Sequence, residues 1–514
     1  MRTWHYLLLL ILFLPLLYFR DFTPNNELKY LSIADEAIRN GNIFTFTNHG
    51  LLYADKPPLY MWILISGKII FGTHSMLFLG LFSLLPAFVI LYIMDKWSRP
   101  FMEKRFRIPG QLMLMTSGLF LGSAIVLRMD MLMCMFIVLS LYTFYRIFTN
   151  NYRKRDKFLL PVYIFLALFS KGPIGLIIPI VTIFTFLIIK GRWKDFGKYL
   201  GGTQWLIIVL LSGLWLGGVY VENGKEYLHN LLIHQTIGRA VNSFQHKEPF
   251  YYYLKSVWYS LAPWSIFYIS LLFTGLWKKL IQTDLEKLFL TTISITFIIL
   301  SLFSSKLDIY LLPAFPFIAY LPMLLLPRIK KRIIYFSLII PAIALLFAFP
   351  AFFILKDKIT TEVTVLMYIT AFLLSASAIV FFLFLYKKKL YTAINCLTGG
   401  ILLSIFIGSF SIPSLNPEIG FRDMCKQTEQ IARQENIQNF HFYKIRSAEN
   451  MDVYLDREIK EVFPDKLEEL YQKKSFVLFI KAKEYNKIIQ QQNWLRAIPF
   501  RHTGKYNIMI FSKK

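Results

Sequence analysis

Apolar runs separated by short polar stretches fill most of this chain, and runs of about 17 to 24 residues are long enough to cross a bilayer as helices. Such runs predict thirteen transmembrane helices, over residues 4–20, 74–95, 110–127, 129–148, 157–170, 172–190, 204–222, 255–277, 286–304, 308–326, 333–356, 364–386 and 391–411. The run at 157–170 is the shortest. From residue 413 onward the pattern changes to alternating polar and apolar positions. Residues 421–434 and 465–473 carry helical periodicity, whereas 439–445, 475–481 and 506–511 read as strands. The predicted fold class is a polytopic α-helical membrane protein with about 13 transmembrane helices and a small C-terminal α/β domain. The membrane domain covers 1–412, with a long first loop at 21–73, and the α/β domain covers 413–514. No small-x-small cleavage site follows the apolar stretch at 7–17 before Arg20 and Asp21, so it is expected to be an uncleaved first span.

Composition supports a membrane class. At 56% apolar and 17% aromatic, with a mean hydropathy of +0.49, the chain holds far more apolar surface than one soluble core needs. The formal charge of +26 does not point to nucleic acid, because the basic residues lie in short clusters between apolar runs. Clusters at 96–107, 153–157, 190–198, 278–279, 328–332 and 387–389 fall in alternate loops, which marks those loops as cytoplasmic. The first loop, the turns at 128–130, 170–172 and 304–308, the loop at 234–246 and the tail then share the opposite face. This predicts a cytoplasmic N-terminus and a periplasmic C-terminus. Cys134 and Cys396 sit in apolar runs and Cys425 in the tail, so neither a disulfide framework nor a thiolate metal site is indicated. The aromatic run Tyr251 to Tyr253, with Trp258 and Trp264, is expected to form an interfacial belt.

The first loop carries the densest candidate chemistry. It opens with PNNELKY at 24–30 and closes with YADKPPLY at 53–60, placing Asn26, Glu27, Lys29 and Tyr30 in one patch and Asp55, Lys56, Pro57 and Pro58 in another. Lysines of this kind can grip a phosphate near the lipid surface, leaving carboxylates for acid–base work. Lysines at span ends also snorkel toward headgroups. Asp130, at the start of a span, can either take part in chemistry or cap its helix.

These two patches, together with GNIF at 41–44, IIFG at 69–72, Asp130, LFSKGPIGLIIP at 168–179, HQTIGR at 234–239, HKEPFYYYL at 246–254, APW at 262–264 and SKLDIYLLPAFP at 305–316, resemble the GT-C membrane glycosyltransferases of the aminoarabinose transferase and protein O-mannosyltransferase superfamily. The resemblance implies an inverting transferase of a bacterial inner membrane, monomeric, that takes a sugar from a polyprenyl (undecaprenyl) phosphate. The implied acceptor is lipid A, with aminoarabinose or a related sugar moved. The alternatives are a protein or glycan hydroxyl as acceptor, or a transporter or flippase of lipid-linked sugars. By motif position, Lys29, Tyr30, Lys56, Arg239 and Tyr310, with Lys171 and Lys306 as additions, are implied to bind the lipid phosphate, while Glu27 and Asp130 lie near the sugar. Asn26 stands where the superfamily usually has the first acid of an Asp-Glu pair; an amide cannot accept a proton, which fits an acceptor that is already an ionised phosphate. Asp55 and His234 are a two-residue hint of a divalent ion such as zinc.

Overall fold

A computed structural model describes residues 3–232, 247–358 and 362–512. Each of the thirteen predicted apolar segments falls on helix. Among the described residues eight helices are long and apolar enough to cross a membrane, or ten if two bent pairs each count as one span, so the chain is a multi-pass membrane protein. One bent pair is α5 (Lys104–Met115) and α6 (Gly118–Ile125), which meet at 66° where a single straight span was expected. Another expected span, 255–277, is divided between Tyr252–Ser260 and Ser265–Trp277. The segment Asp308–Arg328 is the central one, with 94% of its apolar window buried. A helix apolar on all sides belongs in such a position.

The break at Thr116 and Ser117 is tied down from across the core. Trp264 is fully buried and its Nε1 donates to Thr116 Oγ1 at 2.8 Å, so this ring is a core strut and not part of an interfacial belt. Tyr253 is likewise buried, whereas Trp258 and Tyr251 remain exposed.

The first loop is more ordered than its sequence pattern indicates. After α1 (Thr3–Phe19) it contains α2 (Lys29–Asn40), a hairpin of β1 (Thr47–Asn48) and β2 (Leu51–Leu52), and α3 (Leu59–Phe71). With 13 residues α3 is about 20 Å long, too short to cross a bilayer. The hairpin is held by Glu36, whose carboxylate accepts from Thr47 Oγ1, His49 N and Gly50 N at 2.6 to 2.9 Å.

At the C-terminal end a five-stranded mixed sheet runs in the order β4 (Ile459–Glu461), β3 (Asn439–Tyr443), β5 (Phe476–Lys481), β7 (Tyr506–Phe511), β6 (Phe500–Thr503). The β3 strand is parallel to β4 and β5, and β7 is antiparallel to β5 and β6. The central strands are those legible as apolar runs. The edge strands β4 and β6 expose most of their residues and carry no such signal. This region is fastened to the first loop by Asp21, which is fully buried and accepts from Arg422 N at 2.9 Å and Tyr454 Oη at 2.5 Å. Ser32 Oγ donates to Asp452 at 2.8 Å and Asn450 Nδ2 to the Pro24 carbonyl at 3.2 Å.

Candidate functional site

A cleft of about 530 Å³ brings together residues from three distant parts of the chain: Asp55 and Lys56 from the first loop, Lys171, and Ser305 with Tyr310. The rest of its wall is mainly apolar, including Met133, Leu168, Ile174, Ile177 and Leu300. Each polar residue owes its place to a local device.

Lys171 stands at the apex of a helical hairpin formed by α8 (Asp156–Lys171) and α9 (Ile174–Ile189). The turn needs its glycines. Gly172 has φ +107°, a region that favours glycine, and donates to the Leu168 carbonyl at 2.7 Å. A Cβ on Gly175 would collide with the Ala167 carbonyl, so only glycine lets the first turn of α9 pass the end of α8 this closely. The SKGPIG motif is thus a device for presenting one lysine. Its ammonium pairs with Asp130 and lies 4.2 Å from the centre of the Tyr310 ring.

Asp55 and Lys56 follow a strongly anchored segment. Tyr227 Oη donates to the Tyr53 carbonyl at 2.8 Å and accepts from Phe46 N at 3.2 Å. Upstream, Glu222 accepts from the amides of Ile43, Phe44 and Thr45 at 2.5 to 2.8 Å, and Trp62 Nε1 donates to the Ile43 carbonyl at 2.7 Å. Tyr310 is set by the turn before it. Asp308 accepts from the hydroxyls of Tyr252 and Tyr259, both at 2.6 Å. Lys306 is 3% exposed and donates to the carbonyls of Glu248 and Phe303 at 2.9 and 2.5 Å. The lysine is therefore a backbone clamp behind Tyr310, not part of the cleft wall, and burial pulls its pKa below the ordinary lysine value.

The remaining expected residues divide sharply. Asp130 begins α7 (Asp130–Phe148), is fully buried, and receives Arg128 Nε at 2.9 Å on one oxygen and Lys171 on the other. It makes no helix cap and does not line the cleft; it holds the lysine that does. Glu27 is corrected more strongly. Its carboxylate, fully buried, is paired with both terminal nitrogens of Arg20 at 2.6 and 2.7 Å and accepts from Thr23 N, Thr23 Oγ1 and Leu127 N at 2.7 to 2.9 Å. A carboxylate with five donors has no lone pair left for a substrate proton. Asn26 is exposed on the single turn Pro24–Leu28, away from the cleft wall. Lys29 lies 4.7 Å from the centre of the Tyr53 ring, and Tyr30 packs edge-on to Tyr60 at 6.1 Å; neither lines the cleft. Burial pushes the Tyr30 hydroxyl up to about 12, so it stays a neutral hydrogen-bond donor.

Arg239 and His234 lie outside the described residues. Among the described residues no group of three or more His, Cys, Asp or Glu side chains could hold a metal ion.

Three structural carriers of the site were missed in the sequence: Arg128, Arg20 and Glu222. The first lies two residues before a singled-out aspartate, which was a usable signal. Arg20 resembles an ordinary flanking residue of a span, and Glu222 lies more than 170 residues from the amides it binds.

Comparison with known proteins agrees with this architecture. The family model described as dolichyl-phosphate-mannose-protein mannosyltransferase matches residues 55–215. An uncharacterized protein of Aquifex aeolicus (strain VF5) is 29% identical over 321 residues, covering 61% of this chain and 62% of the relative. The undecaprenyl phosphate-alpha-4-amino-4-deoxy-L-arabinose arabinosyl transferase of Edwardsiella ictaluri (strain 93-146) is 24% identical over 302 residues, covering 58% of this chain and 54% of the relative. The chain thus matches between about half and two thirds of the length of these curated relatives. The crystal structure of ArnT from Cupriavidus metallidurans bound to undecaprenyl phosphate superposes with a TM-score of 0.79 at 15% identity, covering 100% of this chain and 98% of that one. The resemblance to GT-C membrane glycosyltransferases stands, and the fold is that of ArnT over the whole chain.

Proposed function

We propose, from this kinship and the cleft, that the chain is an inverting glycosyltransferase that moves a sugar from a polyprenyl phosphate, of the undecaprenyl type, to a phosphate of lipid A on the periplasmic side of a bacterial inner membrane. The observation that carries the reading is the convergence of Lys56, Lys171, Tyr310 and Asp55 on one cleft whose remaining wall is mainly apolar. Its volume of about 530 Å³ suits a sugar phosphate with the first part of a prenyl chain, since small-molecule sites run to about 300–1,000 Å³. Thirteen spans, with the first loop and the C-terminal sheet outside, would place this cleft at the outer surface of the bilayer.

In the proposed reaction an acceptor phosphate oxygen attacks the anomeric carbon from the side opposite the donor phosphate. The new carbon–oxygen bond forms as the bond to the polyprenyl phosphate breaks, and the electron pair leaves with that phosphate. The donor is a phosphodiester with one negative charge, and the departing monoester gains more. Lys56, Lys171 and the Tyr310 hydroxyl therefore interact more strongly with the leaving group than with the substrate, which is the condition for raising kcat. An ionised acceptor needs no general base, consistent with the saturated carboxylate of Glu27 and with an Asp130 that is ion-paired to Arg128 and Lys171. Lys171 also restrains Tyr310 by its position over the ring.

Purified protein supplied with undecaprenyl-phosphate-linked aminoarabinose and lipid A tests this by mass spectrometry of the products. Lys56→Ala and Tyr310→Phe should each slow transfer by about 100-fold. Normal turnover in both variants, or no mass gain on lipid A with wild type, would refute the corresponding part of the reading.

A further inference from the structure

The turn at 125–127, formed by the last residue of α6 and the first two of its connection to α7, delivers Arg128 and Asp130, the pair that fixes Lys171 at the cleft. Val126 N closes the α6 ladder on the Gly122 carbonyl at 3.1 Å, and the other backbone groups of this helix end need partners from elsewhere. Three are supplied by side chains distant in sequence. Arg20 Nη2 donates to the Ile125 carbonyl at 3.1 Å, Ser83 Oγ to the Val126 carbonyl at 2.7 Å, and Leu127 N donates to Glu27 Oε1 at 2.7 Å. Arg20 and Glu27 are themselves a buried ion pair, so one charged unit grips both ends of the turn.

We infer that Glu27 is a positioning residue: with Arg20 it clamps the 125–127 turn and thereby sets Asp130, which holds Lys171 at the wall of the cleft. The chain of contacts runs from Glu27 to the Leu127 amide, along three residues of backbone to Asp130, and then to the lysine. Thr23 closes it at the other end, donating through both N and Oγ1 to the Glu27 oxygen that Arg20 Nη1 also binds. The acid of this motif then serves geometry, and the step from substrate binding to transfer depends on it through the lysine. This inference rests on the proposed transfer reaction.

The test is Glu27→Gln in the full-length protein. It keeps the shape of the side chain but removes the charge that binds Arg20 and Leu127 N. A misplacement on the order of 1 Å at a reacting group slows chemistry by about 100-fold. We expect kcat for sugar transfer to fall by about that factor, the KM for the lipid-linked donor to stay within about twofold, and the shape of the pH profile to remain that of wild type. Amide hydrogen exchange over residues 125–130 should accelerate in the same variant. If Glu27→Gln does not fold, Arg20→Lys, which keeps a positive charge but loses the fork that spans Glu27 and Ile125, should show the same pattern. Wild-type kcat in the variant, unchanged exchange over 125–130, or loss of the acidic limb of the pH profile would each overturn the positioning role; the last would make Glu27 a proton acceptor. Absence of transfer by wild-type protein would instead sink the glycosyltransferase reading, while the exchange measurement would still decide the role of Glu27.

Discussion

Lys171→Met is the substitution for which the structure makes the sharpest statement. The methionine fills the same space, so the loss is electrostatic. Asp130, with no exposed surface, would keep Arg128 but lose the ammonium on its other oxygen, and the Tyr310 ring would lose the cation 4.2 Å from its centre. Removing one partner of a buried ion pair costs about 3–5 kcal/mol, because the remaining charge stays desolvated. Retention of Arg128 puts the expected loss at the lower end, about 3 kcal/mol, with up to about 1–2 kcal/mol more from the lost cation–π contact. Removing the carboxylate's charge as well relieves Asp130 but takes the acid from Arg128, so Lys171→Met/Asp130→Asn should recover only part of this loss. Activity should not follow stability: both proteins lack one of the two lysine cations at the cleft and should transfer sugar about 100- to 1,000-fold more slowly than wild type. Unfolding can be followed with a thiol-reactive fluorophore, since Cys134 and Cys425 are buried and free. Transfer can be followed by release of polyprenyl phosphate from labelled donor. The reasoning fails if Lys171→Met unfolds at the wild-type temperature, or if the double variant is stable and regains activity.

Two further outcomes follow from other parts of the molecule. Burial raises the Asp452 carboxyl above its ordinary pKa where it meets Ser32 and lies 3.8 Å from His49. A folded-state value above the unfolded one means that its contribution to stability is complete below the ordinary carboxylate range and is lost as pH rises through the raised value. Thermal midpoints of wild type should therefore fall as pH rises through that window more steeply than those of Asp452→Asn, and parallel curves would contradict this. Gly175→Ala would press a methyl group into the Ala167 carbonyl, so we expect a loss of about 1–3 kcal/mol together with slowed transfer as Lys171 shifts. Thermal unfolding and turnover measured side by side check it, and a variant equal to wild type in both would show that the hairpin tolerates a wider spacing.

Much of this protein was determined by the chain's local pattern. Long apolar runs have few options besides helix in lipid, because backbone groups there must bond within their own segment, and all thirteen runs became helix. The central strands of the C-terminal sheet were legible for a related reason: β5 is buried along nearly its whole length and so is written as an apolar run. Asp55, Lys56, Lys171 and Tyr310 were identifiable as motif residues, and the cleft unites them. What the sequence alone left undecided is which charges face the cleft and which are consumed in holding it. Glu27, Asp130 and Lys306 look reactive in sequence, yet each is held by partners up to 100 residues away and none lines the cleft. Pairing of buried charges is a property of three-dimensional distance. Only the tertiary structure supplies Arg20 to Glu27, Lys171 to Asp130 and two carbonyls to Lys306, and in a low-dielectric interior those partners decide where each side chain is held.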